Sequence, residues 1–242
     1  MRNADQNCIR FKLIPDLGVF IKQKLYIDYI QDLPVISMRR EPLEDFGNRI
    51  RKRIFDIAVS SLVIICILSF LIPIIGLLIK LGSKGPIFFK QLRSAKNNKS
   101  FYLIKFRSMY LNEKSDTQQA YKGDRRITQI GRFLRRTSLD EFPQFINVLK
   151  GQMSIVGPRP HMLKHTSDYS KLLSKFMVRQ LAKPGITGWA QVHGLRGETN
   201  TLVQMEHRVE HDIWYMENWS LWLDVRIIFL TILNIFGYHN NP

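Results

Sequence analysis

The feature that most constrains this chain is a run of twenty-three residues without a formal charge, Ile57 to Ile79, interrupted by Pro73 and bracketed by basic clusters. As a straight helix rising about 1.5 Å per residue it would reach about 34 Å, enough to cross a hydrocarbon core about 30 Å thick. Pro73 argues against straightness, because it offers no N–H to the Ser69 carbonyl and its ring crowds that turn. The Ser69 hydroxyl is placed to satisfy backbone that a bend would expose to lipid. Arg49, Arg51, Lys52 and Arg53 precede the run; Lys80, Lys84, Lys90, Arg93 and Lys96 follow it. Short basic flanks favour the cytoplasmic face, so both ends read as cytoplasmic and the segment, about residues 54–81, as re-entrant. A spanning helix and a buried core helix are the alternatives.

The positive charge is localised in the same region. Of the formal +16, residues 1–48 contribute nothing (7 basic, 7 acidic), residues 49–136 contribute +15 (19 and 4) and residues 137–242 contribute +1 (10 and 9). Such a field calls for a polyanion: nucleic acid, anionic headgroups or a phosphorylated substrate. The apolar run inside this stretch favours a membrane surface. A 45% hydrophobic content excludes a mainly disordered chain. Two cysteines, Cys8 and Cys66, exclude a disulfide framework and a cysteine zinc site. Residues 1–6 are polar and the apolar run lies far from them, so no cleavable signal is read and the bulk of the chain is expected in the cytosol.

The expected fold class is α+β and mostly helical, with a Pro-broken re-entrant membrane helix, a small β-hairpin and amphipathic interfacial helices. CIRFKLIP, LGVFIKQKLYIDYI and LPVISM read as short strands and a helix, followed by a polar linker to about residue 48. GPIFFKQLRS and FYLIKFRSM flank Asn97-Asn98 as a hairpin. Residues 112–124 are a polar loop. In TSLDEFPQFINVLKG, Ser138 with Glu141 could form a capping box, or Asp140 could cap; Phe142, Phe145, Ile146 and Leu149 predict one buried face. Trp214, Tyr215, Trp219 and Trp222 fit either an interfacial aromatic belt or core packing.

Asp140 and Glu141 are the sharpest chemical constellation. Neighbouring carboxylates at a helix start, close in sequence to Arg125, Arg126, Arg132, Arg135 and Arg136, should stay ionised. An ionised Asp can attack phosphorus, and an adjacent Glu can hold Mg²⁺ against substrate phosphates. A plain N-cap is the competing reading. Arg159, between two prolines in GPRP, suits a preformed phosphate grip. Lys105 and Arg107 alternate along a strand and so should project to one face, toward phosphate or headgroups. KPGITGWAQ supplies a glycine turn that brings backbone to a ligand. His207 and His211 have the i, i+4 spacing of a metal pair without an evident third ligand. GxGxxG and GxxxxGK[ST] are absent.

These blocks, RKRIFDI, the Pro-broken run, GPIFFKQLR, FYLIKFRSM, DRRITQIGRFLRRTSLDEFPQFINVLKG, MSIVGPRP, KPGITGWAQ and DIWYMENWSLWLD, resemble in order the bacterial polyprenyl-phosphate sugar-1-phosphate transferases, the monotopic phosphoglycosyl transferases. The likeness runs from about Arg49 to the C-terminus and is strongest to undecaprenyl-phosphate glucose phosphotransferases. It implies a catalytic domain over residues 49–242 on the cytoplasmic side of the bacterial inner membrane, a UDP-sugar donor, undecaprenyl phosphate as acceptor in the inner leaflet, Mg²⁺, release of UMP, and no nucleic-acid partner. A homodimer stays open. By the same resemblance Asp140 is the nucleophile, Glu141 the metal ligand and Arg159 a phosphate-holding residue; Lys105, Arg107, Arg125, Arg126 and Arg136, read from the basic stretch itself, complete the expected phosphate-binding set. Many members place Ser before the breaking proline, where this chain has Ile72, so Ser69 is the expected substitute. Residues 1–48 resemble the last strands of a nucleotide-fold-like domain, which implies a truncated, split or designed product.

Overall fold

The computed structural model describes residues 26–30, 33–37, 39, 41–112, 121, 123–197 and 201–235. Two units separate at residue 40. In the first, strands β1 (Tyr26–Ile30) and β2 (Leu33–Ser37) pair antiparallel, Tyr26 opposite Ser37 and Ile30 opposite Leu33. The earlier segments CIRFKLIP and most of LGVFIKQKLYIDYI lie outside the described residues, as does most of the polar loop. Residues 41–48 belong to the second unit, where Leu43 packs on the core and the Asp45 carboxylate accepts the Asn48 amide at 2.8 Å.

That capped end opens α1, a helix from Phe46 to Gly82 of 37 residues. Only 22% of its most apolar eighteen-residue window is buried, which excludes the core-helix reading. Leu68, Ile75, Gly76 and Ile79 form the inward stripe, while Leu62, Ile65, Phe70, Leu77 and Leu81 are exposed. Pro73 sits inside the helix instead of ending it. A π-helical stretch, Ile64–Leu68, precedes it, and the Ser69 hydroxyl donates to the Ile65 carbonyl at 2.5 Å, so the irregularity is absorbed as a local widening.

Next come strands β3 (Phe88–Ser94) and β4 (Ser100–Phe106), an antiparallel hairpin. Asn97 and Asn98 have φ of +56° and +58°, a left-handed pair that asparagine tolerates and that reverses the chain here. Along β4, Phe101 and Leu103 face inward and Tyr102 outward. Then follow α2 (Gln129–Arg136), a 3₁₀ turn (Leu139–Glu141), α3 (Gln144–Leu149), β5 (Ser154–Val156), α4 (Leu163–Leu172), a 3₁₀ segment (Phe176–Leu181), β6 (Gly185–Thr187), α5 (Trp189–Val192), α6 (Leu202–Glu217) and α7 (Leu221–Ile235). Strands β5 and β6 are parallel, with Ser154 opposite Gly185.

The expected buried face over Phe142–Leu149 is only partly realised. Leu149 is exposed, and the most buried positions are Asn147 and Val148. The chain passes from a 3₁₀ turn through Pro143 into α3, and that change of pitch shifts the phase. Asn147 is satisfied by mimicking a neighbouring strand: it accepts the Ile104 amide at 3.0 Å and donates to the Tyr102 carbonyl at 2.8 Å, tying α3 to β4.

Three apolar clusters hold the unit. One joins Phe101, Leu103, Val148, Ile155, Tyr215, Trp219, Leu223 and Ile227; a second joins Leu68, Ile75, Ile79, Phe106 and Leu134, so the inward stripe of α1 packs against the hairpin; a third joins Phe176, Met205, Val209 and Ile213. At the base of α1, Lys52 leaves the basic flank and turns inward. Its ammonium reaches Asp224 Oδ2 at 2.6 Å and the Val156 carbonyl at 3.0 Å, while Tyr215 and Trp219 also donate to Asp224 at 2.7 and 3.1 Å. Tyr215 and Trp219 are therefore core residues, whereas Trp222 is exposed and Trp214 stacks on Trp189 at 4.6 Å.

Candidate active site

Three elements converge on Glu141. Lys105 comes from the end of β4, Glu141 from the 3₁₀ turn and Arg159 from the loop after β5. Lys105 Nζ and an Arg159 terminal nitrogen each lie 2.8 Å from Glu141 Oε1. Neither sequence-based capping arrangement is present. Ser138 adopts φ +57°, a strained conformation for a residue with a side chain, and its hydroxyl accepts from Arg196 at 2.8 Å. The left-handed residue redirects the chain so that Asp140 and Glu141, each 7% exposed, point into the body instead of out of a helix start.

Burial and charge drive the two carboxyls apart. Burial pushes Asp140 above the usual carboxylate range, an effect reinforced by Glu141 and opposed by Lys105, Arg135 and Arg159. Burial also opposes ionisation of Glu141, but Arg159 and Lys105 outweigh it and hold that carboxyl well below its ordinary value. Burial lowers the Lys105 ammonium against the pull of Glu141. The result is one firmly ionised, ion-paired carboxylate beside one that no ion pair engages among the described residues.

Of the other sequence candidates, Arg107 points elsewhere. The strand ends at Phe106, so the alternation with Lys105 lapses, and the Arg107 guanidinium donates to the Lys84 carbonyl and, at 2.8 Å, to that of Ser83, closing the C-terminal end of α1. Arg126 makes a bidentate pair with Asp124, with contacts of 2.6 to 3.1 Å that hold the Asp124 carboxyl at about 2. Arg125 and Arg136 lie at the surface. Two arginines outside the candidate set act on the dyad: Arg135, which donates to the Ser108 hydroxyl at 2.8 Å and acts on Asp140, and Arg196, which acts on Glu141. Arg135 could have been picked over Arg136 by helical phase from Leu134; nothing local marks Arg196. His211 Nδ1 engages the His207 carbonyl at 2.8 Å, and His207 lies 3.4 Å from Glu210.

The family model for bacterial sugar transferases matches residues 47–238, which includes every element of this site. The chain belongs to the bacterial sugar transferase family. The chain is 47% identical over 224 residues to the UDP-glucose:undecaprenyl-phosphate glucose-1-phosphate transferase of Klebsiella pneumoniae, covering 92% of this chain and 48% of that protein. It is 46% identical over 234 residues to the transferase of the same description from Escherichia coli (strain K12), covering 96% and 50%. It is 39% identical over 224 residues to the UDP-N-acetylgalactosamine-undecaprenyl-phosphate N-acetylgalactosaminephosphotransferase of Aeromonas hydrophila, covering 92% and 51%. The chain thus spans about half the length of these relatives.

The donor set of this site suits Mg²⁺ held jointly with a substrate. Both cations on Glu141 contact Oε1, Oε2 has no hydrogen-bond partner among the described residues, and Asp140 adds a second carboxylate. No cluster of three acidic, histidine or cysteine side chains occurs among the described residues. Mg²⁺ is commonly bound through one or two carboxylates, with phosphate oxygens and water completing the octahedron.

Proposed function

We propose that this sugar transferase moves a sugar-1-phosphate from a UDP-sugar to undecaprenyl phosphate, releasing UMP and forming undecaprenyl-diphosphate-sugar, the opening step of exopolysaccharide or related glycan assembly. The observation that carries this reading is the divided dyad: Asp140 without an ion pair among the described residues and made more basic by burial, Glu141 ion-paired to Lys105 and Arg159. UDP-glucose is the proposed donor, since the relatives at 46 and 47% identity are named for it.

In this mechanism an Asp140 oxygen attacks the phosphorus that bears the sugar. A P–O bond forms to the carboxylate, the bond from that phosphorus to the bridging oxygen breaks, and UMP departs with the electron pair. An oxygen of the lipid phosphate then attacks the same phosphorus and displaces Asp140 as a free carboxylate. Arg159 and Lys105, oriented by Glu141, offset charge on the diphosphate, the electrostatic and positioning contribution that dominates phosphoryl transfer. Glu141 Oε2 would hold Mg²⁺, which supplies further neutralisation of the diphosphate when bound. UMP release assayed over a panel of UDP-sugars with undecaprenyl phosphate is expected to be fastest with UDP-glucose. Turnover with none of them would remove the proposal.

We also propose that α1 enters the inner leaflet and returns, with α7 lying along the interface and the catalytic unit in the cytoplasm. The basic flanks on both sides of the apolar run support the first part. Both halves of α1 also pack on one body: Arg53 donates to the Val148 and Leu149 carbonyls at 2.6 and 2.7 Å, while Ile75 and Ile79 cluster with Leu134 and Phe106. Exposed Leu221, Trp222, Val225, Phe229 and Ile232 support the interfacial placement of α7. Single cysteines at Arg51 and Lys90 should both resist an impermeant thiol reagent in intact cells and both react in inverted vesicles. Labelling of the two from opposite sides would establish a crossing.

A further inference from the structure

The loop that carries Arg159 is clamped on two sides. Before Arg159 the backbone of Gly157 and Pro158 meets β6 directly: Gly157 donates to the Thr187 carbonyl and Gly185 to the Pro158 carbonyl, each at 2.9 Å. The approach is so close that a Cβ on Gly157 would fall 2.4 Å from the Lys183 carbonyl oxygen, and one on Gly185 would fall 2.1 Å from the Gly157 nitrogen.

At Arg159 itself the clamp is a side chain. Arg179, in the 3₁₀ segment Phe176–Leu181, donates from a terminal nitrogen to the Arg159 carbonyl at 2.9 Å. The same nitrogen lies 2.6 Å from Asp212 Oδ2 on α6, and both side chains are 3% exposed. The Arg179 guanidinium stands 5.4 Å from the ring centre of Phe176, which limits its own freedom. A buried ion pair of this sort is poor value as a stabiliser, because desolvation of two charges cancels most of their attraction and apolar residues of similar size serve as well. Its geometry points to another role: one terminal nitrogen of a buried guanidinium that bridges α6 and the residue whose guanidinium meets Glu141.

We propose that Arg179, anchored by Asp212, is a positioning residue that sets the Arg159 guanidinium against Glu141 and the donor diphosphate. This rests on the phosphate-binding role proposed above for Arg159. Misplacement of a binding group by about 1 Å costs about 100-fold in rate, so loss of the clamp acts on chemistry without touching substrate.

The test is a cycle of variants read by UMP release and by apparent melting temperature. The double apolar change Arg179→Met with Asp212→Leu removes both members of the pair, and buried Arg208, which also faces Asp212, keeps its hydrogen bond to the Gly197 carbonyl. It should fold and should lose about 10- to 100-fold in kcat/KM. In an Arg159→Ala background the same double change should cost less than about 2-fold, because nothing is left to position. Full activity of the double variant overturns the proposal, and so does an equal loss in both backgrounds, which would mark a purely structural pair. If the double variant fails to fold, Arg179→Lys is read through the same cycle: it keeps a charge near Asp212 but lacks the guanidinium whose terminal nitrogen reaches the Arg159 carbonyl. Arg159→Ala with unchanged UMP release would instead sink the phosphate-binding reading, a result the cycle separates from failure of the clamp.

Discussion

Replacing Asp140 by Asn should lower UMP release by about 10⁴-fold or more while leaving the protein at least as resistant to unfolding as the parent. The first half follows from removal of an attacking carboxylate that Asn cannot replace. The second follows from the environment of Asp140, whose ionised form is disfavoured by burial and by Glu141. A folded-state pKa raised above the unfolded value means that the folded protein binds the proton more tightly. The cost of ionised Asp140 is therefore present in full above the folded pKa and disappears as pH falls through it toward 3.8. The advantage of Asn in thermal unfolding should follow the same course, large at neutral pH and fading in acid. Glu141→Gln should behave oppositely. Glu141 is held below 4.5, so its ionised form stabilises the fold above that pH and loses its contribution as pH falls through the depressed value. A melting temperature for Asp140→Asn well below that of the parent at pH 7 would show that the carboxylate serves the fold and not the reaction.

The second large effect concerns stability. Asp224→Ala should cost about 3–5 kcal/mol, seen as a fall of about 10 °C in apparent melting temperature. Asp224 is fully buried and receives Lys52 from α1, Tyr215 from the end of α6 and Trp219 from the connection before α7. Removing it breaks the ion pair of buried Lys52, leaving Asp56 as the carboxylate that still acts on it, and releases the base of α1 from the body that carries the dyad. The paired apolar change Lys52→Met with Asp224→Leu should restore part of the loss, since the desolvated pair is gone while Asp56 loses Lys52 and the Trp219 N–H loses its acceptor. A change of less than about 2 °C for Asp224→Ala in detergent would show that the network is dispensable.

Both predictions turn on contacts that differ sharply in how visible they are in the sequence. The hairpin was legible because alternation and the Asn97-Asn98 pair are local signals, and the long helix because its run of uncharged residues is unambiguous. Asp140, Glu141 and Arg159 were legible as residue types in suggestive settings. Their convergence was not, because Lys105 and Arg159 reach Glu141 across 36 and 18 residues of chain. Lys52 reads as one more headgroup cation, and only a partner 172 residues away turns it into a buried anchor. Arg107 was misplaced because β4 ends one residue too soon for its alternation to persist, and the open carbonyls at the end of α1 claim its guanidinium. The left-handed Ser138 hides in a sequence that matches a capping box, since strain imposed by Arg196 and the surrounding packing has no local signature.

The central claim is that a phosphosugar rests covalently on Asp140 between donor and acceptor. The direct measurement is peptide mapping by mass spectrometry after acid quench of a single turnover with UDP-glucose and Mg²⁺, with undecaprenyl phosphate withheld. The account predicts a stoichiometric burst of UMP and a hexose-phosphate adduct on the peptide that contains Asp140, discharged when lipid phosphate is added. UMP formation that waits for the lipid, with no adduct at any time, would contradict it.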